Sequence, residues 1–242
     1  MTGVQTCALP ICGGTPSQLA AEALGAILAA IPGRDWAEAT IEAAPGGLTA
    51  EKIAAWRAAG INRVSLGVQS FVQKELARTG RRHTAEIVEQ EIGLLRGAGI
   101  ESISVDLIAG LPGQTEASWG QSLDWVEQLG VPHVSVYMLE VDEDSRLGRE
   151  MLVLGSRYGA GDVPGDDAIA DFYETAVERL ARVGIERYEI SNFARAGFES
   201  RHNLKYWRRE AYLGFGAGAH SFRGRSGGRM LMMRRRMWRR SR

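Results

Sequence analysis

The chain has 242 residues, 45% of them hydrophobic and 24% charged, with a formal net charge of zero. That is enough to bury a sizeable core, as one large domain or one domain with an appendage. No apolar run approaches the roughly eighteen residues of a membrane span, the start lacks the basic and apolar regions of a signal peptide, and two cysteines give no disulfide framework. The expectation is a cytoplasmic protein that is not integral to a membrane.

Residues 2–11 (TGVQTCALPI) resemble translated sequencing-adapter read-through, so residues 1–12 are set aside from fold reasoning as foreign sequence, Cys7 and Cys12 with them. Residues 27–30 end a helix, which puts Gly13-Gly14-Thr15-Pro16 at the C-terminal end of a strand expected to be missing upstream. Residues 39–44 (ATIEAA) then read as a short strand. Thr49 caps a helix over 50–59 that stops at Gly60. Residues 63–68 form a strand apolar enough to be buried on both faces, 84–96 a helix, 102–108 a strand closed by Gly-Leu-Pro-Gly, 116–129 a helix and 133–139 a strand. Short strands alternating with longer helices mean βα units and a parallel sheet. The pattern predicts a partial (β/α) TIM-like barrel lacking its first strand over residues 13–140, with a doubly wound open sheet as the alternative.

Beyond residue 140 the rhythm changes. Residues 141–165 read as a long acidic loop, 167–183 as a strongly amphipathic helix, 188–193 as a strand, and 202–207 as part of a loop. Residues 141–222 are therefore expected to be a C-terminal α+β extension. Residues 223–242 hold nine of the 29 basic residues and no acid, leaving 29 acids against 20 bases before them. Four Met and one Trp without apolar periodicity suit an out-of-frame tail better than a nucleic-acid arm, and no nucleic-acid partner is expected.

In parallel barrels ligand-binding groups gather at the C-terminal ends of the strands. Thr15, Glu42, Gln69 and Asp106 fall there on four successive units, each near a Gly or Pro that lets a ligand approach the backbone. One such polar residue is ordinary; four aimed at one mouth point to a site.

The motifs make the reading specific. Gly13-Gly14-Thr15-Pro16-Ser17, Glu42 in E-x-x-P-G, residues 62–71 (NRVSLGVQSF), Gly80-Arg81-Arg82-His83 and residues 106–112 (DLIAGLP) resemble, in order, motifs of the radical-SAM enzymes. Residues 188–193 (YEISNF) with His202-Asn203-x-x-Tyr206-Trp207 resemble the haem-chaperone (HemW-type) branch, related to oxygen-independent coproporphyrinogen III oxidase. The resemblance spans roughly residues 13–222 and implies site roles. Backbone at Gly13, Gly14 and Thr15, with Glu42, would hold the methionyl amine of S-adenosylmethionine (SAM). Arg81 would pair with its carboxylate, and Gln69 and Asp106 would take the ribose hydroxyls. His202, Asn203, Tyr206 and Trp207 would bind haem, with the imidazole as axial ligand and flat rings against the macrocycle. A plainer possibility is that His202 and Asn203 cap a turn while the two aromatic residues pack under the barrel.

The resemblance also implies a 4Fe-4S cluster on a C-x-x-x-C-x-x-C loop, which Cys7 and Cys12 do not supply. The chain as written is expected to be catalytically inactive. Its parent is expected to be a chaperone that binds haem, SAM and a cluster and delivers haem to acceptor proteins; the alternative is coproporphyrinogen III oxidation, and a third reading is a chimeric translation of a gene fragment. His83 and His133 are expected to have packing roles only. Residues 214–221 (GFGAGAHS) lack the strand and βαβ unit of a dinucleotide site.

Overall fold

The computed structural model describes residues 8–12, 14–31, 36–216 and 219–222. In chain order the elements are β1 (Ala8–Ile11), α1 (Ala21–Ala30), β2 (Glu38–Ala43), α2 (Ala50–Ala58), β3 (Arg63–Gln69), α3 (Gln73–Arg78), α4 (Ala85–Gly97), β4 (Ser102–Ala109), α5 (Glu116–Leu129), β5 (His133–Met138), α6 (Arg146–Leu152), α7 (Asp166–Arg182), β6 (Glu186–Arg187), β7 (Asn192–Ala194) and α8 (Arg201–Trp207). The chain divides into two compact units, Met1–Glu199 and Ser200–Arg242.

The first unit is built on one seven-stranded sheet in the order β1-β2-β3-β4-β5-β7-β6. β1 to β5 are parallel and lie in unbroken sequence order, while β7 and β6 complete the sheet antiparallel. A doubly wound sheet reverses its strand order part-way, and these parallel strands do not. The sheet is a partial barrel wall that does not close.

Alternation along the strands explains its two faces. Leu9, Ile41, Val64, Leu66, Val105, Leu107, Val134 and Val136 point one way and join a single core with Leu24 of α1, Ile53 and Trp56 of α2, Val88, Ile92 and Leu95 of α4, Trp119 and Leu123 of α5, and Phe172 and Leu180 of α7. Residues of the opposite parity face the barrel interior, and on β2 to β5 most are polar: Glu38, Thr40 and Glu42 on β2, Arg63 and Ser65 on β3, Ser104 and Asp106 on β4, His133 and Ser135 on β5. The strand over residues 63–68 is thus apolar on its helix side alone.

Four expectations are corrected. The strand thought missing before Gly13 is present as β1, parallel to β2 from Ala8↔Glu38 to Ile11↔Ile41. Leu9 and Ile11 there continue the apolar face, a fit that setting these residues aside concealed. The single strand over 188–193 is two short strands, because residues 188–191 turn between β6 and β7. The loop over 141–165 contains α6, capped by Ser145, and a 3-10 stretch over Arg157–Asp162. The loop holding His202 to Trp207 is helix α8, whose N-cap Ser200 accepts from Asn203 N.

Trp119 ties helix to helix: it is fully buried, its indole N–H donates to Phe172 O at 2.7 Å, and its ring lies 6.3 Å from that of Phe172. Trp119→Ala removes a large buried ring and leaves that carbonyl without its donor. The expected loss is about 3–5 kcal/mol, read as a lower urea midpoint with an unchanged slope.

Candidate functional site

The first βα turn is held against the end of β2. Ser17 Oγ accepts from Ala44 N at 3.2 Å, and Lys52 Nζ donates to Ser17 O and to Gly47 O at 3.1 and 2.9 Å. Glu91, buried on α4, accepts from Gly46 N and Leu48 N at 3.0 and 2.8 Å and so fixes the Pro-Gly-Gly turn after Glu42. Gly14 has φ +71°, a conformation that favours glycine, and a Cβ placed there would meet nothing within 4 Å. Thr15 and Glu42 flank this open backbone. Gly13 lies outside the described residues. Cys12 stands close enough to Glu42 to feel its charge: partial burial and then that carboxylate push the thiol up from its ordinary value.

On β3 the pairing with β4 shifts between Leu66 and Gln69, so that Gly67 and Val68 together oppose Asp106. This bulge carries Gln69 at φ +71°, outside the usual range for a residue with a side chain, and re-aims it. Arg81 reaches in from the loop after α3, its Nη1 donating to Gly67 O at 3.0 Å. A Cβ on Gly67 would stand 3.2 Å from Gln69 Nε2 and 4.0 Å from Arg81 Nη1, so glycine leaves room for both. Among the described residues no carboxylate stands within ion-pair distance of Arg81. Partial burial lowers its pKa and the nearby Asp106 charge opposes that, leaving the fork a cation open to an added carboxylate.

Asp106 receives Ser65 Oγ at 3.0 Å on both oxygens and Ser104 Oγ at 3.2 Å on Oδ1. Burial pushes its carboxyl up, while Ser135, Ser65, Ser104 and the Arg63 charge pull it back. The structure therefore brings Gln69, Arg81 and Asp106 to one patch around the bulge, with Thr15 and Glu42 on the neighbouring strand ends. Serines 65, 104 and 135, Ser17 and Glu91 were given no site role from the sequence, although Ser17 and Ser65 lie in its motifs; the signal for the three strand serines was their inward parity. His83 keeps a packing role, with Nε2 3.1 Å from Val68 O. His133 does more than pack, bonding through both ring nitrogens.

A methionyl carboxylate, its amine and a ribose suit the cation, the open glycine backbone and the acceptors of this patch. An iron–sulfur cluster does not fit the residues of this sequence, because its two cysteines are not a three-thiolate loop.

In the second unit, α8 places His202 and Tyr206 four residues apart on one face, ring centroids 4.5 Å apart and edge to face. Tyr206 meets Tyr212 in the same manner at 4.8 Å, and Tyr212 lies 6.2 Å from Phe222, to which it is bridged by two backbone hydrogen bonds of 2.8 and 2.9 Å. Tyr206 and Trp207 remain about half exposed, at 48% and 54%, and so are not packed away in a core. Asn203 serves the helix cap through its backbone N–H.

Residues 9–126 match the family model of the radical SAM superfamily. The curated "Heme chaperone HemW" of Bacillus subtilis (strain 168) is 40% identical over 217 residues, which is 88% of this chain and 56% of that protein. The Escherichia coli (strain K12) protein of the same name is 38% identical over 213 residues, 86% of this chain and 54% of its own. The structure of coproporphyrinogen III oxidase (HemN) from Escherichia coli, described as a radical SAM enzyme, superposes with a TM-score of 0.75 at 23% identity, over 89% of this chain and 52% of that one; it shows the fold. Residues 9–126 therefore carry a radical-SAM domain. The chain spans about half the length of the curated relatives it matches, and those relatives at about 40% identity are named haem chaperones.

The interior face also predicts a pH dependence. Burial first, and then the Arg63 charge, hold His133 well below its ordinary pKa. Below about pH 6.5 the unfolded chain takes up a proton that the folded chain does not, so stability falls as the pH drops; above that value both forms are neutral and the effect vanishes. The urea midpoint is expected to fall between about pH 7 and pH 5, and to fall less in His133→Gln. The raised carboxyl of Asp106 acts in the opposite sense and offsets part of that fall.

Proposed function

We propose that this chain belongs to a haem chaperone that binds haem and SAM and passes haem to acceptor proteins. The observation that carries the reading is α8. It sets a His-Asn-x-x-Tyr-Trp motif on a helix with its imidazole against a ladder of aromatic rings, in a chain about 40% identical to named haem chaperones.

Haem is the cargo. His202 supplies an axial nitrogen, Tyr206 and Trp207 supply flat apolar faces, and Asn203 supplies polar contact beside the iron ligand. A half-exposed platform suits a ligand that must be handed on.

SAM lies at the strand ends of the first unit. The backbone of residues 13–15 and Glu42 hold the methionyl amine. Arg81 binds the carboxylate through its fork, and Gln69 and Asp106 accept from the ribose hydroxyls. When bound with a cluster, SAM is a source of radical chemistry in this superfamily. No step is assigned to a cluster here, because the cysteines present do not build its loop. Coproporphyrinogen III oxidation is the weaker reading, since the oxidase contributes a likeness of fold alone at 23% identity. No described helix is long and apolar enough to cross a membrane; a cytoplasmic site of action is part of the proposal.

Haem titration of the full chain, followed in the Soret region, tests the reading. Saturable binding is expected, weakened at least tenfold in His202→Ala, with a shifted Soret maximum as the axial nitrogen is lost; tenfold corresponds to about 1.4 kcal/mol. Binding and spectrum unchanged in that variant would remove His202 as the ligand.

A further inference from the structure

The interior face contains a buried hydrogen-bonded chain that SAM binding does not by itself require. His133 is 1% exposed and Ser104 0%. Ser104 Oγ lies 2.7 Å from His133 Nδ1 and 3.2 Å from Asp106 Oδ1, and His133 Nε2 lies 2.8 Å from the Tyr188 hydroxyl. The His133 and Tyr188 rings are 5.6 Å apart and tilted by 58°.

Counting protons gives this chain a direction. Ser104 has one hydroxyl proton and two neighbours that can accept it. If the proton goes to His133, the Asp106 oxygen loses a donor and Nε2–H must donate to Tyr188. If it goes to Asp106, Nδ1–H donates to Ser104 and Nε2 accepts from Tyr188. The second arrangement gives each atom a complementary partner, and it gives the Asp106 carboxylate a second hydroxyl donor beside Ser65. The charges that face Asp106 favour it as well. Arg63 is buried and anchored to Ser102 Oγ and Phe198 O at 2.9 and 3.1 Å, and it and Arg81 both act on Asp106, with Glu38 and Tyr188 beside Arg63.

We propose that Tyr188, His133 and Ser104 form a one-way donor chain ending on an ionised Asp106, and that His133, as the Nδ1–H tautomer, is a positioning residue for that carboxylate. The proposal rests on the reading that Asp106 takes the SAM ribose. It gives Tyr188, the first residue of the Tyr-Glu-Ile-Ser-Asn-Phe segment, a part in shaping a site on β4. It also accounts for a fully buried imidazole at a place where an apolar residue would pack without needing partners.

The test uses the full chain labelled with ¹⁵N-histidine, with His133 assigned by its loss in His133→Gln. Two-bond N–H correlation spectra are expected to show Nδ1 protonated and Nε2 bare. Tyr188→Phe should move the Nε2 resonance and leave Nδ1 protonated. In parallel, calorimetry with S-adenosylhomocysteine, which keeps the ribose and amino-acid groups of SAM, should show affinity reduced about threefold to tenfold in His133→Leu and partly restored in His133→Gln, which keeps a donor. An Nε2–H tautomer overturns the inference whatever the protein binds, and this readout needs no variant that risks misfolding. Affinity unmoved by a folded His133→Leu overturns the positioning role. Affinity unmoved by Asp106→Asn overturns instead the ribose reading on which that role rests.

Discussion

A parallel sheet with one face against helices and the other lined by polar groups has to satisfy that second face from within. Here hydroxyls laid across adjacent strands do so. Ser65 stands opposite Ser104 and Asp106 opposite Ser135 in the parallel register, so short side chains on β3, β4 and β5 meet at hydrogen-bond distance without bending the backbone. A one-residue slip would send these groups into the apolar layer and bring Val64, Val105 and Val134 inward. Register and site are therefore one constraint, and the partial barrel's ligand face exists only while the hydrophobic layer behind it holds.

The same face explains how a buried arginine is tolerated. Arg63 begins β3 with 3% of its surface exposed, and burial lowers its pKa, but Glu38, Tyr188 and Asp106 return favourable charge. A buried cation is costly when a partner is removed and close to neutral when the whole set is in place. Polar groups on this wall are thus interdependent: Arg63 supports the ionised form of Asp106, Ser104 divides its attention between Asp106 and His133, and Tyr188 closes the line. Towards the strand ends the logic changes, because the bulge at Gly67 and Val68 breaks the ladder and opens the patch where Arg81 and Gln69 gather.

The βα alternation was legible because glycine stops, threonine caps and apolar runs sit at the right intervals; Thr49, Thr84 and Thr115 all accept from the N–H three residues on. The grouping of Gln69, Arg81 and Asp106 followed from motif resemblance and was matched by their convergence at the bulge. What escaped was of two kinds. The inward serines and His133 have roles that depend on parity and cross-strand register, which a one-strand reading does not display. The α8 helix escaped because Ser200 is the cap and the Arg-His-Asn-Leu-Lys-Tyr-Trp run has little apolar periodicity to mark it. β1 escaped for a different reason: a resemblance to adapter read-through marked those residues as foreign, yet sheet pairing asks only for alternate apolar side chains and a free edge.

That α8 is a helix matters for the functional argument. In a loop, His202 and Tyr206 would share a surface only by accident of path; at helical spacing they share one by geometry, and the edge-to-face contact follows. The strand-end patch, by contrast, is proposed to hold SAM under either reading, so it cannot separate a haem carrier from a porphyrinogen oxidase, and neither can a fold held in common at 23% identity. The proposed discrimination rests on the small second unit, where the His202 imidazole stands edge to face with Tyr206 and two aromatic rings stay about half exposed, a surface whose chemistry would suit a flat iron-centred ligand.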